Sequence, residues 1–96
     1  MNILFTANYK NGLFSNGLQQ NIVFLAELVK SIGFTPIIAI NHKVEECIDP
    51  PNDILIIEDH EIPEYCNNLS FILNTSWLLN TKQLKLIKSK NKNCKN

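Results

Sequence analysis

Arginine is absent from this chain. Its planar guanidinium is the side chain that grips phosphates and guanine edges bidentately, so its absence argues against nucleic-acid recognition. Glycine and proline are few, three and four in 96 residues, which excludes collagen-like and low-complexity classes. The three cysteines, Cys47, Cys66 and Cys94, are odd in number and show no CxxC spacing. Neither a disulfide framework nor a zinc site is indicated, and reduced thiols in a cytoplasmic protein are the expectation. No apolar run approaches the ~20 residues of a membrane span; the longest are broken by Glu27 or by turns. The opening "MNILFTANYK" has no basic region and no small-residue cleavage site, so it is not read as a signal peptide. HExxH and GxGxxG are missing, and Ser70 and Ser76 have no GxSxG elbow around them. Zinc-protease, dinucleotide and serine-hydrolase fingerprints are thereby excluded.

What is present fits one globular domain. Hydrophobic residues make up 45% of the chain, and its length allows a single modest core. Net charge is zero, yet the charges are segregated. Eight of the nine acids fall between Glu45 and Glu64, and six of the nine lysines between Lys82 and Lys95. Such segregation can mark an interaction tail or a nucleic-acid contact, but a solvated acidic loop with a solvated basic terminus is the preferred reading. The expected organisation is a domain over residues 1–89 and a flexible Lys/Asn-rich tail over 90–96.

The short apolar run "NILFTAN" (2–8) predicts a buried strand. Behind it, Leu18, Ile22, Leu25, Leu28, Val29 and Ile32 recur at three and four residues, predicting a helix with these on its inner face. Ser15 or Asn16 can cap its start, and Gly33 stops it in a left-handed conformation. "FTPIIAIN" (34–41) is a second strand with Pro36 at its start. "HKVEECIDPPND" is a polar connection with room for one helical turn. "ILII" (54–57) is a third strand, and "EDHEIPEYCNN" gives a short helix with Pro63 in its first turn. "LSFILNT" (69–75) is a fourth strand. A last helix over 80–90 is capped by Asn80 or Thr81, with Leu84 and Ile87 inward.

Strands alternating with helices predict an α/β fold: a three-layer, Rossmann-like open parallel sheet of about four strands, order 3-2-1-4, with helices on both faces. The strands read as continuous apolar runs, as a sheet covered on both sides requires. Ligands of such sheets bind outside the carboxyl ends of the strands, where strand order reverses. The first strand–helix loop, "NGLFSNGLQQN", overhangs that place. Asn11, Gly12, Asn16, Gly17 and Gln20 are its candidate ligand contacts, with Asn74, Thr75 and Ser76 facing them from the fourth strand. Glycines admit close backbone approach, and neutral amides suit the hydroxyls of a sugar better than a phosphate. Asn-Gly pairs are also common turn chemistry, so a plain turn stands beside the ligand loop.

Two further groups are weighed against solvation. In "EDHE", Glu58, Asp59, His60 and Glu61 offer metal-ligand chemistry, but neighbouring residues are expected to point apart, which leaves a solvated loop and no metal site. His42 with Glu45 and Glu46 reads the same way. Trp77 suits core or rim packing more than stacking against a sugar ring. No residue stands out as a catalytic base, and no cofactor is indicated.

The stretch "NILFTANYKNGLFSNGLQQNIVFLAELVKSIGF" with "PIIAIN" resembles the N-terminal half of GT-B glycosyltransferases. It is most similar to a bacterial and phage group of glycosyltransferase-like proteins sharing an "NG..QN..FL..L" pattern, here Asn16, Gly17, Gln20, Asn21, Phe24, Leu25 and Leu28. "NDILIIED" and "FILNTSWLLNTKQL" resemble that group's third and fourth strand regions. The resemblance implies an acceptor-side Rossmann-like domain, with the nucleotide-sugar held mainly by a second domain. A fifth strand is expected where "KNKNCKN" stands, which implies a truncated relative or a domain that works with another chain. The ligand implied is a saccharide or nucleotide-sugar, and no transfer is expected from these residues alone. The alternative is a non-enzymatic module that docks a partner protein through its sheet edge or Lys-rich tail.

Overall fold

The computed structural model describes residues 1–8, 17–47, 51, 53–75 and 77–95. Strands β1 (Asn2–Ala7), β2 (Thr35–Ile40), β3 (Leu55–Glu58) and β4 (Leu69–Asn74) form one all-parallel sheet in the expected order β3-β2-β1-β4. Helix α1 (Gly17–Ser31) packs on one face; α2 (Ile62–Tyr65) and α3 (Thr81–Lys90) contribute to the core on the other. Successive residues of a strand serve opposite faces. Phe5, Ala7, Ile38 and Ile40 join Ile22, Val23 and Ala26 of α1, whereas Leu4, Ile37, Ala39 and Ile72 join Ile62, Cys66 and Ile87. Both residues of each such pair are therefore apolar, and the strands lose the alternation of a one-sided sheet.

Local chemistry sets the ends of the elements. Gly33 has φ +103°, and its N–H donates to the Lys30 carbonyl while that of Phe34 donates to Val29, so two end carbonyls of α1 are satisfied. Asn80 caps α3: its side chain accepts from the Gln83 N–H, and the Gln83 side chain accepts from the Asn80 N–H. Pro36 is the second residue of β2, and the polar connection after β2 holds a 3₁₀ turn at Val44–Glu46. The proposed caps Ser15 and Asn16 lie outside the described residues.

The expected inner face of α1 is corrected. Ile22 and Val29 do pack toward the sheet, but with Val23 and Ala26, while Leu25, Leu28 and Ile32 are exposed. Every residue from Ile22 to Val29 except Glu27 is apolar, so the spacing admits two stripes. Packing chooses between them. Ala26, fully buried, lets the helix approach β1 and β2 more closely than a leucine there would.

Residues 91–95, read from the sequence as part of a flexible tail, are tied to the domain. The Lys95 N–H donates to the Ser70 carbonyl and the Ile72 N–H to the Lys95 carbonyl, a parallel bridge on the outer edge of β4. Asn91 is buried, and Cys94 packs against the core beside α3.

Candidate functional site at the carboxyl edge of the sheet

From β1 the chain steps to β2 and β3 on one side, then crosses to β4 on the other. The carboxyl ends of β1 and β4 therefore flank the point where strand order reverses. Helix α1 runs back against the strands it connects, so its amino end at Gly17 lies on this same edge.

A polar knot closes the two strand ends. Thr6, fully buried, is opposite Asn74 in the parallel register. Its hydroxyl donates to Asn74 Oδ1 at 3.0 Å and to the Trp77 carbonyl. From the other side, the Thr75 N–H donates to the Thr6 carbonyl at 3.2 Å, and the Thr75 hydroxyl donates to the same oxygen. One hydroxyl proton serves two acceptors, so Thr6 engages one end of the Asn74 amide. Among the described residues this is the one side-chain hydrogen bond seen for Asn74, whose side chain is half-buried at the strand end. A half-buried amide whose oxygen is held by Thr6 can offer its Nδ2 to a hydroxyl of a ligand from a fixed position.

The expected contacts divide accordingly. Asn74 and Thr75 stand at the reversal point, half-buried. Gly17 opens α1, and Gln20, half-buried, sits in its first turn. Asn11, Gly12, Asn16 and Ser76 lie outside the described residues. Thr6 was not among the expected residues. Its signal was a single hydroxyl inside the apolar run "NILFTAN". Trp77 packs against the core through a partly buried side chain, in keeping with a packing role.

A second cluster forms at the end of β3, and here the expectation of diverging side chains is corrected. Glu58, His60 and Glu61 each bring a potential ligand atom within 4.8 Å of the others. The cause is the 3₁₀ turn Asp59–Glu61, since three residues per turn bring positions i and i+3 onto one side. Each glutamate accepts the other's backbone N–H, and Glu58 also accepts that of Val44 at 3.0 Å. His60 Nδ1 lies 3.6 Å from Glu58 and 3.7 Å from Asp59, on a largely exposed side chain. The carboxylates are thus partly spent on capping their own turn.

Beside this turn, a cavity of about 220 Å³ is lined by Asp59, His60, Ile62, Pro63, Lys82, Gln83 and Leu86. It is smaller than the ~300–1,000 Å³ of ordinary ligand pockets. A shallow hollow of about 370 Å³ lies at the opposite, amino edge of the strands, between Met1, Asn68 and the Lys90–Asn93 segment. Burial pushes the Cys66 thiol up to about 11, against a smaller downward pull from Lys90, and burial likewise raises Cys94. None of the three cysteines forms a disulfide, and no helix among the described residues is long and apolar enough to cross a membrane.

No protein-family model matches the chain, and no curated protein or solved structure matches it.

Proposed function

We propose that this chain is an acceptor-side domain of the GT-B N-terminal type, which holds a saccharide at the carboxyl ends of β1 and β4 and does not transfer sugar on its own. The observation that carries the reading is the Thr6–Asn74–Thr75 knot at the strand reversal, with Asn74 and Thr75 half-buried at the strand end. A neutral amide in a fixed orientation suits a hydroxyl-rich ligand. The amino end of α1 on the same edge adds a favourable dipole. Catalysis needs more, because the diphosphate leaving group of a sugar donor must be stabilised as its charge develops. The sequence has no arginine and no Gly-rich phosphate cradle. A cation held at Glu58, His60 and Glu61 would stand three strand positions from β4, roughly 14 Å away across the sheet.

The test is binding and turnover measured on the same protein. Saturation-transfer NMR with a panel of mono- and disaccharides is expected to detect weak binding. Asn74→Ala should weaken it about tenfold, the worth of one hydrogen bond. Hydrolysis of nucleotide-sugars should stay at background with Mg²⁺ or Mn²⁺ added. Turnover by the isolated chain, or unchanged affinity in the variant, would contradict the proposal.

A second reading has one observation behind it. Lys95 pairs with only part of the outer edge of β4, so a partner strand can continue along that edge. This interaction-module reading predicts partner-induced changes over residues 82–95 and none at Asn74.

A further inference from the structure

Helix α1 carries an apolar ridge that the sheet does not use. Phe24, Leu28 and Ile32 are 59%, 57% and 65% exposed, and Leu25 beside them is 37% exposed. Spaced four residues apart, the three form an i±4 row, the ridge that packs most commonly between helices. At 100° per residue, Leu28 lies roughly 150° around the helix from the buried Ile22–Ala26 stripe, so the ridge points away from the sheet. From Gly17 to Gly33 only Glu27 and Lys30 are charged, and the Lys30 ammonium donates to the Asp53 carbonyl at 2.7 Å. The ridge itself is uncharged.

We propose that this ridge is a homodimer interface, in which α1 of a second copy lies antiparallel across it about a two-fold axis at Leu28. The spacing is self-complementary. A two-fold contact centred on residue 28 sets each position against the one equally far on the other side of the centre, so Leu28 meets Leu28 and Phe24 meets Ile32. No ridge position brings like charges together, and no charged side chain on it selects an unlike partner. The extent fits a weak dimer. With a free large apolar side chain at about 200 Å², the four residues offer roughly 440 Å² per copy, or about 900 Å² for the pair. That exceeds most chance contacts, below about 800 Å², and falls short of a standard interface, so a micromolar rather than nanomolar dimer is expected. The interface stands clear of the strand ends, so it is compatible with a ligand there and does not depend on one.

Sedimentation of the full chain from about 5 µM to about 1 mM tests this. Wild type is expected to pass from monomer toward dimer, and Leu28→Asp to stay monomeric throughout with an unchanged far-UV spectrum. A cross-linking pair fixes the geometry. In a Cys47→Ser, Cys94→Ser background, Leu28→Cys should be joined to itself by a short bismaleimide. Phe24→Cys and Ile32→Cys should be joined to each other when mixed, and poorly when alone. A wild type that remains monomeric to 1 mM would overturn the proposal and leave the ridge to an unlike partner. So would a dimer that survives Leu28→Asp, or that fails to cross-link through residue 28.

Discussion

Ile22→Ala is expected to lower the free energy of unfolding by about 2–5 kcal/mol, and Leu28→Ala by less than about 1 kcal/mol. Both remove three side-chain carbons from the same helix, and only the face differs. Ile22 is 3% exposed in the cluster formed with Phe5, Ile38 and Ile40; Leu28 is more than half exposed. Truncating Ile22 loses the transfer free energy of its buried carbons and leaves a void that β1 and β2 can fill only in part. Truncating Leu28 removes carbons that already meet water. Against a total stability of about 5–10 kcal/mol for a domain this size, the first loss is a large fraction. Urea denaturation at low micromolar protein, where the α1 ridges are not engaged, reads the difference as a shift in midpoint at constant slope. Equal shifts for the two variants would show that α1 is rotated from the phase described.

Asn91→Leu is the second large effect, at about 2–4 kcal/mol. The side chain sits at the end of α3 and joins three segments. Its Oδ1 accepts the Leu69 N–H at 2.7 Å, where β4 begins. Its Nδ2 donates to the Cys66 carbonyl behind α2 and to the Ile87 carbonyl, both at 2.9 Å. Leucine keeps the branched shape, though it is bulkier, and leaves the Leu69 N–H and the Cys66 carbonyl without these partners in a buried place. The Ile87 carbonyl suffers less, since the Asn91 backbone N–H also donates to it. Deleting residues 91–96 should cost at least as much, because the bridge from Lys95 to β4 goes too. Thermal unfolding should show a drop of roughly 10 °C or more for either change. A change of only a degree or two would mean that the segment is as dispensable as its composition suggests.

That contrast marks where the sequence is legible. The strands are apolar runs bounded by polar residues, and the strand–helix alternation leaves few topologies, so the order 3-2-1-4 follows from local signals and general rules. Gly33 and Asn80 announce their roles because a cap depends on one residue and its neighbours. Three other features are not announced in this way. Composition marks Asn91 as a tail residue, yet two of its three hydrogen bonds reach Leu69 and Cys66, which only the folded sheet brings near. The phase of α1 is hidden because two apolar stripes compete, and the approach distance allowed by Ala26 decides between them. The "EDHE" turn looks divergent under strand or α-helical geometry, and converges only because the chain takes a 3₁₀ turn. At the candidate site, topology alone points to Asn74 and Thr75, whereas Thr6 needs the parallel register that sets it opposite Asn74.

The proposed ligand site lies at the carboxyl ends of β1 and β4. Amide and side-chain NMR of the ¹⁵N-labelled chain, titrated with the saccharide that binds best in the panel, tests it most directly. Fast-exchange shifts are expected at the Asn74 side-chain amide, at the Thr6 and Thr75 backbone amides, and at Gly17 in the first turn of α1. Little change is expected around Lys82, Leu86 and His60 in the cavity beside α3. Asn74→Ala should reduce the Thr6, Thr75 and Gly17 shifts together. Shifts confined to the α3 cavity or to residues 91–95, with Asn74 and Thr75 unmoved at saturating ligand, would contradict it.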